Sequence, residues 1–220
     1  PSDPSFLSSI LTLNDKKAPT AAITYAPSGP YSNGTDVTIT AIFNEPMASS
    51  PLVKIALSGG NTLAASNMTR WEATRYSYTH TVSTGDGTVT VALSIGTDVG
   101  GNEVNPAPSS GANFVVDNTA PTNPSFIPAD DAVDIGIKDK LFITFDENMA
   151  GGTGNIKIYD SDNNLFETIA GNSNDVTFSS AIAIINPKND FLSFASYYVQ
   201  VDDDALTDIA GNGWAGIDVT

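Results

Sequence analysis

Six oxygen-bearing side chains carry the chemistry this sequence offers: Asp86, Asp117, Asn118, Asp146, Glu147 and Asp208. Carboxylates and an amide in this number suit a hard divalent cation, because Ca2+ takes roughly six to eight oxygen ligands. Carboxylates brought together repel one another, so such a group calls for a cation or a proton to offset its charge. The expectation is Ca2+ held by these six residues. Asp208 also opens the stretch Asp208-Ile209-Ala210-Gly211-Asn212. There an Asp side chain caps a turn while Gly and Asn supply positive φ, a role compatible with metal binding.

Other chemistry is poorly supplied. The 220 residues contain no Cys and one His, which removes thiol catalysis, thiolate zinc sites and multi-His mechanisms. That one imidazole, His80, alternates with Tyr76, Tyr78 and Val82, so it reads as a hydrogen-bonded, half-buried residue. No G-x-S-x-G elbow or phosphate loop is present. Glu45 and Glu147 are repeat equivalents, a full repeat apart, and are not a pair for glycoside hydrolysis. Asp202-Asp203-Asp204 reads as a solvated loop able at most to lend one ligand, and Asp160–Asn164 as a hairpin turn. The chain is therefore read as non-enzymatic. Its 25 Asp+Glu against 9 Lys+Arg, a net charge of −16, argue against nucleic acid and anionic membrane surfaces. No stretch approaches the ~18–20 apolar residues of a membrane span. The N-terminus has no initiator Met or signal-peptide pattern, as expected of a piece of a longer polypeptide.

The elements that must position these side chains come in duplicate. Asp15 and Ala18-Pro19-Thr20 recur 102 residues later as Asp117 and Ala120-Pro121-Thr122. Phe43-Asn44-Glu45-Pro46-Met47 recurs at the same shift as Phe145-Asp146-Glu147-Asn148-Met149. Asp98-Val99-Gly100-Gly101-Asn102 recurs as Asp208–Asn212 at a shift of 110. Both copies carry period-2 runs rich in β-branched and aromatic residues, such as Val37–Phe43, Tyr76–Val82, Val89–Ile95, Leu141–Phe145 and Tyr197–Val201. Such runs mean half-buried strands, and no helical periodicity competes with them. The fold class is all-β: two tandem immunoglobulin-like β-sandwich domains, 18–119 and 120–220. Residues 1–17 are an N-terminal extension or the tail of a preceding module.

The strand ending in Phe-Asn/Asp-Glu-x-Met, the Asp-x-x-Gly-Asn loop and the exit Val116-Asp117-Asn118-Thr119-Ala120-Pro121 resemble the bacterial Ig-like repeats of large surface adhesins. Met68-Thr69-Arg70-Trp71, Tyr76-Ser77-Tyr78 and Gly85–Val89 add to the likeness in the first copy. Ile127-Pro128-Ala129-Asp130 and Tyr197-Tyr198-Val199 make the second copy similar to modules of S-layer-type secreted proteins. The resemblance implies non-catalytic extender modules on the bacterial cell surface, partnered by neighbouring modules of the same polypeptide, with a cell-surface glycan or protein receptor as the second class of partner. The first linker departs from the pattern, with Lys16-Lys17 in place of Asn118-Thr119, which puts a metal site there in doubt.

Alternating strand direction sends Asp146-Glu147 and Asp208–Asn212 to the N-terminal end of the second copy, where Asp117–Pro121 arrives. It sends Asp86 to the bottom of the first. Ca2+ at this junction would stiffen the pair. The alternative function is a carbohydrate-binding or other ligand-binding accessory module, with Trp71, Tyr25, Tyr31 and Trp214 as candidate sugar platforms. Against it, Trp71 and Trp214 are expected to cover core edges, and Tyr197 or Tyr198 to make a corner hydrogen bond to the backbone.

Overall fold

Alternating apolar and polar residues become strands because each strand buries one face and wets the other. The computed structural model describes residues 15–218, which fold into seventeen strands with no helix among the described residues. Residues 1–14, including most of the expected extension, lie outside the described residues.

The first eight strands are β1 (Ala21–Ala26), β2 (Asp36–Phe43), β3 (Lys54–Gly59), β4 (Leu63–Asn67), β5 (Thr69–Glu72), β6 (Arg75–Thr81), β7 (Gly87–Ser94) and β8 (Asn113–Val116). They form two four-stranded sheets, β1-β2-β6-β5 and β4-β3-β7-β8. Val37, Ile39, Ala41 and Phe43 are buried along one face of β2, as are Val89, Val91 and Leu93 along β7. Phe43 meets Tyr76 edge to face at 5.5 Å.

Nine strands follow: β9 (Ser125–Ile127), β10 (Leu141–Thr144), β11 (Met149–Gly151), β12 (Asn155–Asp160), β13 (Leu165–Ala170), β14 (Val176–Ser179), β15 (Ile182–Ile185), β16 (Tyr197–Val201) and β17 (Leu206–Asp208). They make the sheets β14-β15-β10-β9 and β13-β12-β16, with a separate β11-β17 ribbon. One core joins them, centred on Ile156, Ile158, Ile185 and Leu206. Phe145, the equivalent of Phe43, meets Trp214 edge to face at 5.1 Å.

By packing, the chain separates into two compact units. The first gathers residues through Pro27, Val37–His80 and Val89–Phe114; the second gathers Ser28–Asp36, Thr81–Thr88 and Val115 onward. All six residues singled out above fall in the second.

Three side chains behave as their patterns require. Asp160 accepts hydrogen bonds from the Asp162 and Asn164 backbones, closing the β12–β13 hairpin. Trp214 is buried. The Tyr197 hydroxyl accepts from the Leu192 N–H, a corner bond to the backbone. Two expectations are overturned. Asp202 is not simply solvated: the Lys157 ammonium reaches it at 2.6 Å and the Asn155 backbone donates to it, drawing it half into the sheet edge. Trp71 covers no core. It is 68% exposed, because Arg70 pairs with buried Tyr76 and takes the inward face, so alternation leaves Trp71 on the outward one.

His80 is buried, with Nε2 3.0 Å from Asn61 Oδ1. Asn61 Nδ2 donates to the Gly60 carbonyl, which turns Oδ1 toward the ring and assigns the proton to Nε2. Burial holds His80 below its ordinary value of 6.5. The native state therefore favours neutral imidazole, and the unfolded state takes the proton first. This contribution to stability is intact above pH 6.5 and shrinks as pH falls toward the folded value. Melting curves from pH 7.5 to 5.5 should show a steeper loss for the native protein than for His80→Gln; equal slopes would contradict this assignment.

Candidate functional site

The second unit builds its site from the turn upward. Asp208 ends β17 and is almost fully buried, at 1% exposure. Its Oδ1 accepts from the backbone N–H groups of Ala210 and Asn212, both at 2.8 Å. Its Oδ2 accepts from Asn212 Nδ2 at 2.7 Å. Gly211 takes a φ of 93° to close the loop, a conformation that a Cβ would strain. Asn212 Nδ2 also donates to the Asp117 carbonyl at 2.9 Å, tying the segment after β8 to this loop. Met149, buried and paired with Asp208 across the β11-β17 ribbon, fixes the chain two residues beyond Glu147.

The result is a convergence of charge. Carboxylate oxygens of Asp117, Glu147 and Asp208 lie within 4.8 Å of one another. Glu147 answers by holding its proton more tightly. Burial first, then the negative charges of Asp208, Asp117 and Asp146, push its carboxyl above the ordinary value of 4.5. In a medium of effective dielectric ~20, two unit charges ~4 Å apart repel by about 4 kcal/mol before solvent screening, so three carboxylates in this space need compensation.

The other three candidates are engaged differently. Asp146 accepts from the backbone and hydroxyl of Thr122, and these bonds lower its pKa. Asp86 accepts from the Asn118 backbone. Asn118 itself donates from Nδ2 to the Gly85 carbonyl and accepts from the Asn33 backbone. Asp117 N donates to the Tyr31 carbonyl at 3.0 Å. Asp86 and Asn118 bond the chain next to Asp117, Asp146 bonds Thr122, and the oxygens that cluster are those of Asp117, Glu147 and Asp208.

A second group mirrors the first. Oxygens of Asp15, Glu45 and Asp98 also lie within 4.8 Å of one another. Asp98 is buried and accepts from Asn102 N at 2.8 Å and Asn102 Nδ2 at 2.7 Å. Asn102 Nδ2 reaches the Asp15 carbonyl at 3.1 Å, and Gly101 has a φ of 87°. The Asn102 side chain leads the causes that lower the Asp98 pKa. Sequence reasoning set this group aside because of Lys16 and Lys17. The repeat arithmetic contained it nonetheless, since all three residues are equivalents of Asp117, Glu147 and Asp208.

The arrangement offers hard oxygen donors. The imidazole of His80 is committed to Asn61. Two consequences are measurable without added cation. First, the native state binds the Glu147 proton more tightly than the unfolded chain. Its contribution to stability is therefore present below pH 4.5 and is lost as pH rises through the folded value. Glu147→Gln should melt above the native protein at pH 7.5 in EDTA, with the gap closing as pH falls toward 4.5; a constant gap would contradict the cluster. Second, Asn212→Ala removes a donor from a buried carboxylate and should cost roughly 1.5–3 kcal/mol in denaturant unfolding.

Comparison with known proteins gives residues 117–219 as a match to the family described as bacterial Ig-like domain. No curated protein matches the chain. Among solved structures, a biofilm associated protein BSP domain is similar at 13% identity and a TM-score of 0.25. The alignment covers 87% of this chain and 28% of that one. A likeness this slight carries no functional argument.

Proposed function

We propose that this chain, whose residues 117–219 match the bacterial Ig-like domain family, is a pair of non-catalytic extender modules of a bacterial cell-surface protein of the adhesin type. Ca2+ held by Asp117, Glu147 and Asp208 is the stiffening element in this reading. The observation that carries it is the pairing, in one acidic group, of a residue from the segment between the repeats with two from the loops of the second. A cation shared by Asp117, Glu147 and Asp208 would cross-link that segment to the sandwich that follows it. Repeats joined end to end set reach, and a fixed linker would set stiffness.

The donor chemistry fits Ca2+. All three side chains are carboxylates, and the strongly bonded Asp208 is a preorganised ligand whose position costs nothing further on binding. Extracellular modules bind Ca2+ at roughly 10⁻⁴–10⁻³ M, a range suited to a permanently calcium-rich exterior. The division into domains at 18–119 and 120–220 belongs to this proposal, as does a location outside the cell.

Small-angle scattering in 5 mM-scale Ca2+ and in EDTA is the test. The expected outcome is a longer maximum dimension and a narrower pair-distance distribution with Ca2+, lost in Glu147→Gln. Identical profiles in both buffers would leave passive spacing and overturn the stiffening role.

A further inference from the structure

We infer that the β5–β6 hairpin, with the outward face of its sheet, is a binding surface for a carboxylate-bearing saccharide. The chain has two arginines, and both lie within six residues of each other, Arg70 and Arg75, on either side of Trp71. Arg70 pairs with buried Tyr76 and takes the inward face, which leaves Arg75, across from Glu72, as the arginine of the outward face in a protein of net charge −16. Among the described residues neither arginine forms an ion pair. The Tyr76 hydroxyl accepts from Arg70 Nε at 3.1 Å, which restrains that guanidinium. Arg75 is exposed opposite Glu72.

Trp71 is 68% exposed and yet held. Its indole N–H donates to Ser77 Oγ at 2.8 Å, turning the polar edge of the ring toward β6. A large aromatic surface fixed before binding loses little entropy when covered. Beside it stand accessible hydroxyls: Ser77 and Thr79 on β6, Thr38 and Thr40 on the neighbouring β2. An aromatic platform suits the apolar face of a pyranose, the hydroxyl row suits its ring hydroxyls, and an arginine fork suits a carboxylate. Charge complementarity selects the acidic sugar over a neutral one. Strand addition by a peptide is disfavoured, because β5 is four residues long and its ladder is broken beside Trp71.

The probe is trigalacturonate, with the matching neutral galactose trimer, titrated in EDTA so that no cation can bridge sugar to the acidic loops. Heteronuclear NMR resolves the two indole N–H signals, and Trp214 is the internal control. The expected outcome is saturable movement of the Trp71 signal at millimolar trigalacturonate. At least tenfold weaker binding should follow in Arg75→Gln and for the neutral trimer, with loss in Trp71→Ala, where the backbone amide signal of Ser77 is the readout. Circular dichroism and melting would show the variants folded. No saturable shift, equal affinity for the neutral trimer, or undiminished binding by folded Trp71→Ala would each overturn the inference.

Discussion

The buried Asp–Asn clamp is the constraint on which both halves of this chain depend. Asp98 with Asn102 and Asp208 with Asn212 close their loops through the same two contacts to the Asp carboxylate, with a left-handed glycine before each Asn. Each Asn amide then reaches back to the carbonyl of the residue that leads into its repeat, Asp15 or Asp117. A charge buried at 1–2% exposure persists only when its lone pairs are filled, and the loop exists in the shape that fills them. One short motif thereby terminates a strand, anchors an incoming segment and places an acidic group at the head of the sandwich.

That economy produces an electrostatic conflict. The clamp satisfies Asp208 but also draws Asp117 near, and the strand-end geometry fixed by Met149 delivers Glu147 to the same space. Hydrogen bonds lower the pKa of Asp146 nearby, whereas Glu147 is pushed the other way. Two neighbouring carboxylates thus part company because Thr122 serves one and burial penalises the other. A proton on Glu147, solvent screening or a bound cation would each relieve this excess charge, and the proposed Ca2+ is the last of these.

Much of this was legible from residue order. Period-2 runs gave the strands, the repeat shifts paired Phe43 with Phe145 and Asp98 with Asp208, and the Gly-Asn ending gave the turn. What escaped has physical reasons. The outward position of Trp71 follows from the pairing of Arg70 with buried Tyr76, a cross-strand register that composition does not reveal. Residue order places Asp202 in a solvated acidic run, yet cross-strand geometry brings it Lys157 from 45 positions away. Topology brings Asp86, Asn118 and Asp146 to the same end of the unit as the clustered oxygens. Local hydrogen bonds to the linker backbone, Gly85 and Thr122 decide which oxygens those three present. Two lysines weighed against the Asp15 group, although the clamp that assembles it lies elsewhere, in Asp98 and Asn102.

The account rests on Glu147 sharing its charge with Asp117 and Asp208. Carboxyl-detected NMR titration of Glu147, with and without Ca2+, measures this directly. The account predicts a midpoint above the ordinary glutamate value without the ion and a marked fall when Ca2+ is added. An ordinary midpoint that Ca2+ leaves unmoved would contradict it.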